Sequence, residues 1–153
     1  MPQPAPARRL EVLLAEDNEF DVHLTVVAFR DATVPNRVHC VADGEAAIAF
    51  LKRRGEYEDA PRPDLILLDL NLPKMNGLEV LEEIKADASL KNIPVVMVSG
   101  NIHDGDIRRA YDLQASSFLM KPTEMDEYFA AIRSLKELWF HAASPAPKPD
   151  SPA

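Results

Sequence analysis

Leu65-Ile66-Leu67-Leu68-Asp69-Leu70-Asn71-Leu72-Pro73-Lys74-Met75-Asn76-Gly77 opens with four apolar residues in succession, meets an acid, and runs into a turn rich in proline, asparagine and glycine. The apolar run is too short for a stable helix, and its lack of alternation predicts a strand covered on both faces. The segment after the turn changes period: Leu78, Leu81 and Ile84 share one helical face, and Asn76 stands where a helix N-cap is expected. A strand buried on both sides, followed at once by an amphipathic helix, is the unit of a parallel sheet with crossover helices.

The same unit recurs in both directions along the chain. Short apolar runs at Val12 to Ala15, Val38 to Val41, Val95 to Val98 and Phe118 to Met120 predict four more strands. Helical spacing appears between them. Phe20, Leu24 and Val27 share a face, as do Ala47, Ile48 and Leu51, and further helices are expected near Ile107 and from Thr123 onward. Asp43 precedes one helix, while Thr123 followed by Asp126 has the spacing of a capping box. The expectation is an α/β fold, a five-stranded parallel doubly wound sheet with right-handed crossovers and helices on both faces.

Prolines mark the limits of this unit. Seven of 13 fall in the first six or last nine residues, namely Pro2, Pro4, Pro6, Pro145, Pro147, Pro149 and Pro152. Proline lacks an amide hydrogen and fixes φ, so residues 1–9 and 144–153 are expected to be disordered tails around a folded unit spanning 10–143. At 153 residues the chain is long enough for one core, and any output domain is expected to be another protein. The formal net charge of −8, with no basic run longer than Lys52-Arg53-Arg54, argues against nucleic acid as a partner. A single cysteine, Cys40, excludes an internal disulfide and the spacings of a zinc site. Without an apolar leader or a membrane-length apolar run, a soluble cytoplasmic protein is expected.

In a doubly wound sheet the functional crevice lies beyond the carboxyl ends of the strands, where the winding reverses. Those ends read Glu16-Asp17-Asn18, Asp69-Leu70-Asn71, Ser99-Gly100-Asn101 and Lys121-Pro122. Each has an ordinary explanation alone, as a cap or a strand terminus. Together they bring three carboxylates to one edge, where at ~4 Å and an effective dielectric near 20 each like-charged pair costs about 4 kcal/mol. Such a cluster requires protons or a cation. Oxygen donors without histidine or cysteine favour Mg2+ or Mn2+, and magnesium commonly shares its ligands with a phosphate. Lys121 adds a positive charge and Ser99 a hydroxyl, leaving Asp69 as the nucleophile of a phosphoryl-transfer site. No Gly-rich phosphate loop and no dinucleotide fingerprint occurs.

With these motifs in view, the sequence from about Leu10 to Phe140 resembles the receiver domain of bacterial two-component response regulators. The resemblance implies the flavodoxin-like strand order 2-1-3-4-5 and a phosphoacceptor aspartate at Asp69, charged from a phosphohistidine of a sensor histidine kinase. It implies a Mg2+ site formed by Glu16, Asp17, Asp69 and the backbone carbonyl of Asn71. Ser99 falls on the family's switch hydroxyl, Phe118 on its aromatic switch, and Lys121 on its lysine, followed by Pro122 in what is usually a cis bond. Two departures stand out: Gln114 replaces the usual glycine before the fifth strand, and Gly100 follows the switch hydroxyl. The Glu-Asp-Asn-Glu-Phe-Asp start, Arg-Pro-Asp before the third strand and the Leu-Trp-Phe ending resemble the stand-alone receivers that accompany bacterial phytochromes, which implies a light-regulated kinase as the donor.

The last helix carries two apolar stripes. Met125, Phe129 and Ile132 follow one face with Lys136, whereas Tyr128, Leu135 and Trp139 follow another. The second stripe is expected to be a partner surface, forming a homodimer through the C-terminal helix. Four histidines, His23, His39, His103 and His141, are scattered and are read as surface or packing residues. Two other functions compete with the phosphoacceptor module: a Mg-dependent phosphatase of the haloacid-dehalogenase type, and an adaptor that signals without phosphate. The phosphatase needs a second acid two residues after its nucleophile, where this chain has Asn71, and the intact acid, hydroxyl and lysine set argues against the adaptor.

Overall fold

Strands β1 (Leu10–Ala15), β2 (Asn36–Val41), β3 (Leu65–Asp69), β4 (Val95–Ser99) and β5 (Ser117–Met120) alternate with helices α1 (Glu19–Arg30), α2 (Gly44–Leu51), α3 (Gly77–Ala86), α4 (Asp104–Asp112) and α5 (Met125–Ala143). This computed structural model describes residues 9–30, 35–100, 104–122 and 124–143, the side chains of Asp104 and residues 135–143 excepted. The expected tails, apart from Arg9, and Thr123 of the expected capping box lie outside the described residues.

All strands pair in parallel in the order β2-β1-β3-β4-β5, so the fold is the expected flavodoxin-like sheet. The sheet is buried on both faces. Leu13, Ala15, Ile66, Leu68, Val95 and Met97 face a core closed by α2, α3 and α4. Their neighbours Val12, Leu14, Leu65, Leu67, Val96 and Val98 face a second core closed by α1 and α5. This double coverage explains why the central strands lack alternation in sequence.

Caps hold the helices that follow the sheet's functional edge. Asp43 accepts from the amide of Ala46 at 2.7 Å, and Asn76 with Glu79 forms a reciprocal capping box. Two glycines permit close backbone approach. A Cβ on Gly77 would lie 2.3 Å from the carbonyl oxygen of Asp69, and one on Gly44 would overlap the carbonyl of Met75. Helices α2 and α3 therefore start against the loop that follows Asp69.

Helix α1 departs from expectation. Its core face is Thr25, Ala28 and Phe29, while Phe20, expected to share an apolar face with Leu24 and Val27, is 55% exposed. The rotation follows from α5, whose Tyr128 and Ile132 share the second core with Ala28 and Phe29. Thr25 tolerates burial because its hydroxyl donates to the carbonyl of Asp21 at 2.8 Å. No helix among the described residues is long and apolar enough to cross a membrane.

Candidate functional site

Parallel register carries the polar strand ends to one place. Ala15 pairs with Leu68, which sets Glu16 beside Asp69, and Asp69 pairs with Val98, which sets Ser99 one step beyond. Ser99 in turn pairs with Met120, so Lys121 follows at the same edge. The chain reverses its winding between β1 and β3, and the acids flank that crevice.

Carboxylate oxygens of Glu16, Asp17 and Asp69 lie within 4.8 Å of one another, with Glu16 and Asp69 buried and Asp17 exposed. The Lys121 ammonium reaches Glu16 Oε1 at 2.5 Å, Asp21 Oδ2 at 2.8 Å and Asp69 Oδ2 at 3.2 Å. Burial pushes the Glu16 carboxyl up to about 7, and hydrogen bonding and charge from Asp69 add to this against the pull of Lys121. Burial disfavours the charge on Lys121, yet the carboxylates of Asp21, Glu16 and Asp69 outweigh it and hold the ammonium above its ordinary range. Three hard oxygen donors within reach of one another, one of them open to solvent, fit a divalent cation of the magnesium type.

Neighbouring groups fix the Asp69 carboxylate. The Asn71 amide N–H donates to Asp69 Oδ1 at 2.9 Å, and the Asn71 side chain donates from Nδ2 to the buried Ser99 Oγ at 3.0 Å. Between β3 and α3, Lys74 takes a φ of 67° and the Met75 N–H bonds the Pro73 carbonyl at 2.7 Å, a tight turn whose Pro73 carbonyl also accepts from the Gly44 amide at the start of α2. Phe118 is half-buried against the α2, α3 and α4 core, on the same sheet face as Met97, its register partner. Ser99 lies two residues beyond Met97 on that face.

Glu16, Asp17, Asp69, Ser99 and Lys121, expected together from sequence, are brought together. One residue of the expected dimer stripe is corrected. Tyr128 is 5% exposed and packs in the α1 and α5 core, its ring 5.9 Å from the Lys121 ammonium, because α5 turns this side inward against α1. Burial raises its hydroxyl to about 12. Exposed apolar surface on α5 starts instead at Met125, while the side chains of Leu135 and Trp139 lie outside those described. No cis peptide bond occurs among the described residues, so the Lys121–Pro122 bond is trans, where the resemblance implies cis; only ~0.5–1 kcal/mol separates the isomers of such a bond.

Sequence reasoning missed Asp21 and the contact between Lys121 and Tyr128. The signal for Asp21 was an acid in the first turn of a helix that starts just past Glu16-Asp17. Its use became visible only once α1 was oriented on the sheet.

Residues 12–133 match the response regulator receiver domain family, and the chain belongs to that family. Response regulator Rcp1 of Synechocystis sp. (strain ATCC 27184 / PCC 6803 / Kazusa) is 38% identical over 133 residues, covering 87% of this chain and 90% of its own. The phosphorylated cyanobacterial phytochrome response regulator RcpA has a TM-score of 0.86 at 44% identity, covering 88% of this chain and 96% of its own. The Mn2+-bound form of Rcp1 has a TM-score of 0.83 at 39% identity, with coverages of 85% and 94%. The chain is therefore a response regulator receiver similar to stand-alone phytochrome response regulators.

Proposed function

We propose that Asp69 accepts a phosphoryl group from a phosphohistidine of a sensor histidine kinase, that this kinase is a bacterial phytochrome, and that the modified receiver signals by protein contact. The observation that carries this reading is the buried Asp69 carboxylate, held by the Asn71 amide and 3.2 Å from the Lys121 ammonium. An oxygen of Asp69 forms the new O–P bond as the N–P bond of the phosphohistidine breaks, and the imidazole leaves with the electron pair. Lys121 offsets charge on the transferred oxygens and keeps it in place afterwards.

Glu16, Asp17 and Asp69, with the Asn71 carbonyl, would hold Mg2+ or Mn2+, which when bound supplies further positive charge to the phosphoryl oxygens. The Ser99 hydroxyl, held by Asn71 Nδ2, is the group able to turn toward a phosphoryl oxygen. Phe118 shares its sheet face and follows the vacated volume, so phosphorylation reshapes the surface near α4 and β5. The phosphohistidine of an intracellular kinase would meet this site in the cytoplasm. A homodimer through α5, joined by α4 and β5, belongs to the same reading, with Met125 in the place first given to Tyr128.

Incubation with Mg2+ and acetyl phosphate tests the assignment by intact mass. The expected result is the gain of one phosphoryl group, abolished in Asp69→Asn and by chelation of the metal. Steady turnover of phosphate esters without a retained phosphoryl group would favour the phosphatase, and no mass gain under any condition would favour the adaptor. Transfer from a phosphorylated bacterial phytochrome, compared with an unrelated histidine kinase, tests the donor.

A further inference from the structure

The Lys121 ammonium has three carboxylate partners in unequal situations. Glu16 and Asp69 belong to the group whose oxygens lie within 4.8 Å of one another and fit a divalent cation, and Asp21 does not. A cation in that group would draw on the lone pairs of Glu16 and Asp69 and repel the ammonium. That weakens the lysine's hold on these two partners and leaves Asp21 unchanged.

Asp21 is built to stay in place. Its amide donates to Asn18 Oδ1 at 3.0 Å, which caps the start of α1, and its carbonyl accepts the buried Thr25 hydroxyl at 2.8 Å. The Asn18 amide donates in turn to Glu16 Oε2 at 3.2 Å, which ties the cap to the end of β1. The first turn of a helix also favours a carboxylate electrostatically. On the other side the Tyr128 ring lies 5.9 Å from the ammonium. A lysine on a flexible four-carbon stem gains a defined direction only from such fixed neighbours.

We propose that Asp21 is the positioning residue for Lys121, the carboxylate that holds the ammonium over the pocket when a divalent cation occupies Glu16 and Asp69 and before the phosphoryl group arrives. The inference rests on the reading of Asp69 as the phosphoacceptor. It makes Asp21 act through Lys121 alone, without contact with the reacting atoms.

The test has two arms. In the first, Asp21→Asn and Asp21→Glu are phosphorylated at saturating Mg2+ and acetyl phosphate, in the wild-type and Lys121→Ala backgrounds. Asp21→Asn is expected to slow phosphorylation on the order of tenfold, with Mg2+ affinity within about twofold of wild type and partial recovery in Asp21→Glu. The effect is expected to vanish when Lys121 is absent, as the double-mutant cycle requires of a residue acting through it. A purely structural role would persist there. In the second arm, the Lys121 side-chain ammonium is followed by NMR in Mg2+-loaded, unphosphorylated protein. It should be ordered in the wild type and averaged in Asp21→Asn. A wild-type or faster rate in Asp21→Asn, an equal loss in the Lys121→Ala background, or an ammonium unchanged by the substitution would overturn the proposal. Loss of the phosphoacceptor reading would appear separately, as wild-type protein that takes up no phosphate while the NMR arm still reports on the anchor.

Discussion

Glu16 carries the pocket's pH dependence. Its carboxyl rises from 4.5 to about 7 on folding, chiefly by burial, so between these values the folded chain keeps a proton that the unfolded chain has released. More protons bound in the native state means that stability falls as pH rises through this window. Metal-free protein should therefore lose stability from about pH 4.5 to 7 in denaturant titrations, and Glu16→Gln should flatten that slope. Because a cation binds the ionised carboxylate, added Mg2+ should stabilise the protein more above this window than below it, as thermal shifts would show. Glu16, Asp17, Asp69, Ser99 and Lys121 were legible as a set because strand ends in a parallel sheet share one edge. Asp21 was hidden, since a lone acid in a first helical turn reads equally well as a response to the helix dipole.

Two helix ends show the backbone overriding residue preference. Helix α4 closes with the Gln114 amide on the Tyr111 carbonyl at 2.8 Å and the Ala115 amide on the Ala110 carbonyl at 2.9 Å, with Gln114 at φ 64°. Helix α2 closes alike, Arg53 at φ 54° and the Arg54 amide on the Ala49 carbonyl at 2.9 Å. Both are Schellman closures with a side chain where glycine is preferred. Gln114→Gly should thus stabilise the protein by about 1 kcal/mol in chemical denaturation, without changing phosphorylation. Gly77→Ala has the opposite sign. Its Cβ would sit 2.3 Å from the Asp69 carbonyl oxygen, so a loss on the order of 3 kcal/mol is expected, together with slowed phosphorylation as the nucleophile's backbone shifts.

Over the whole molecule, the two sheet faces divide the work. The α1 and α5 side holds Lys121 through Asp21 and Tyr128, while the α3 and α4 side carries Phe118 beside the Ser99 end of β4. Tyr111, Met120 and Met125 are large apolar residues left exposed on α4, β5 and α5. The proposed homodimer uses this surface. Sedimentation velocity should show a dimer that Met125→Glu and Tyr111→Glu weaken, and a monomer at high concentration with and without acetyl phosphate would sink the idea.

Local pattern was enough for the order of strands and helices, the burial of the central strands and the gathering of the acids, the hydroxyl and the lysine at one edge. Each of these follows from periodicity along the chain and from the parallel pairing that a strand-helix alternation implies. Tertiary structure alone decided the rotation of α1 and α5 about their axes. That rotation exposes Phe20, buries Tyr128 beneath the lysine and brings Asp21 to within 2.8 Å of Lys121, 100 residues away in sequence. The physical reason is that a helix with several apolar stripes has more than one face it can bury, and only packing against its neighbour selects one.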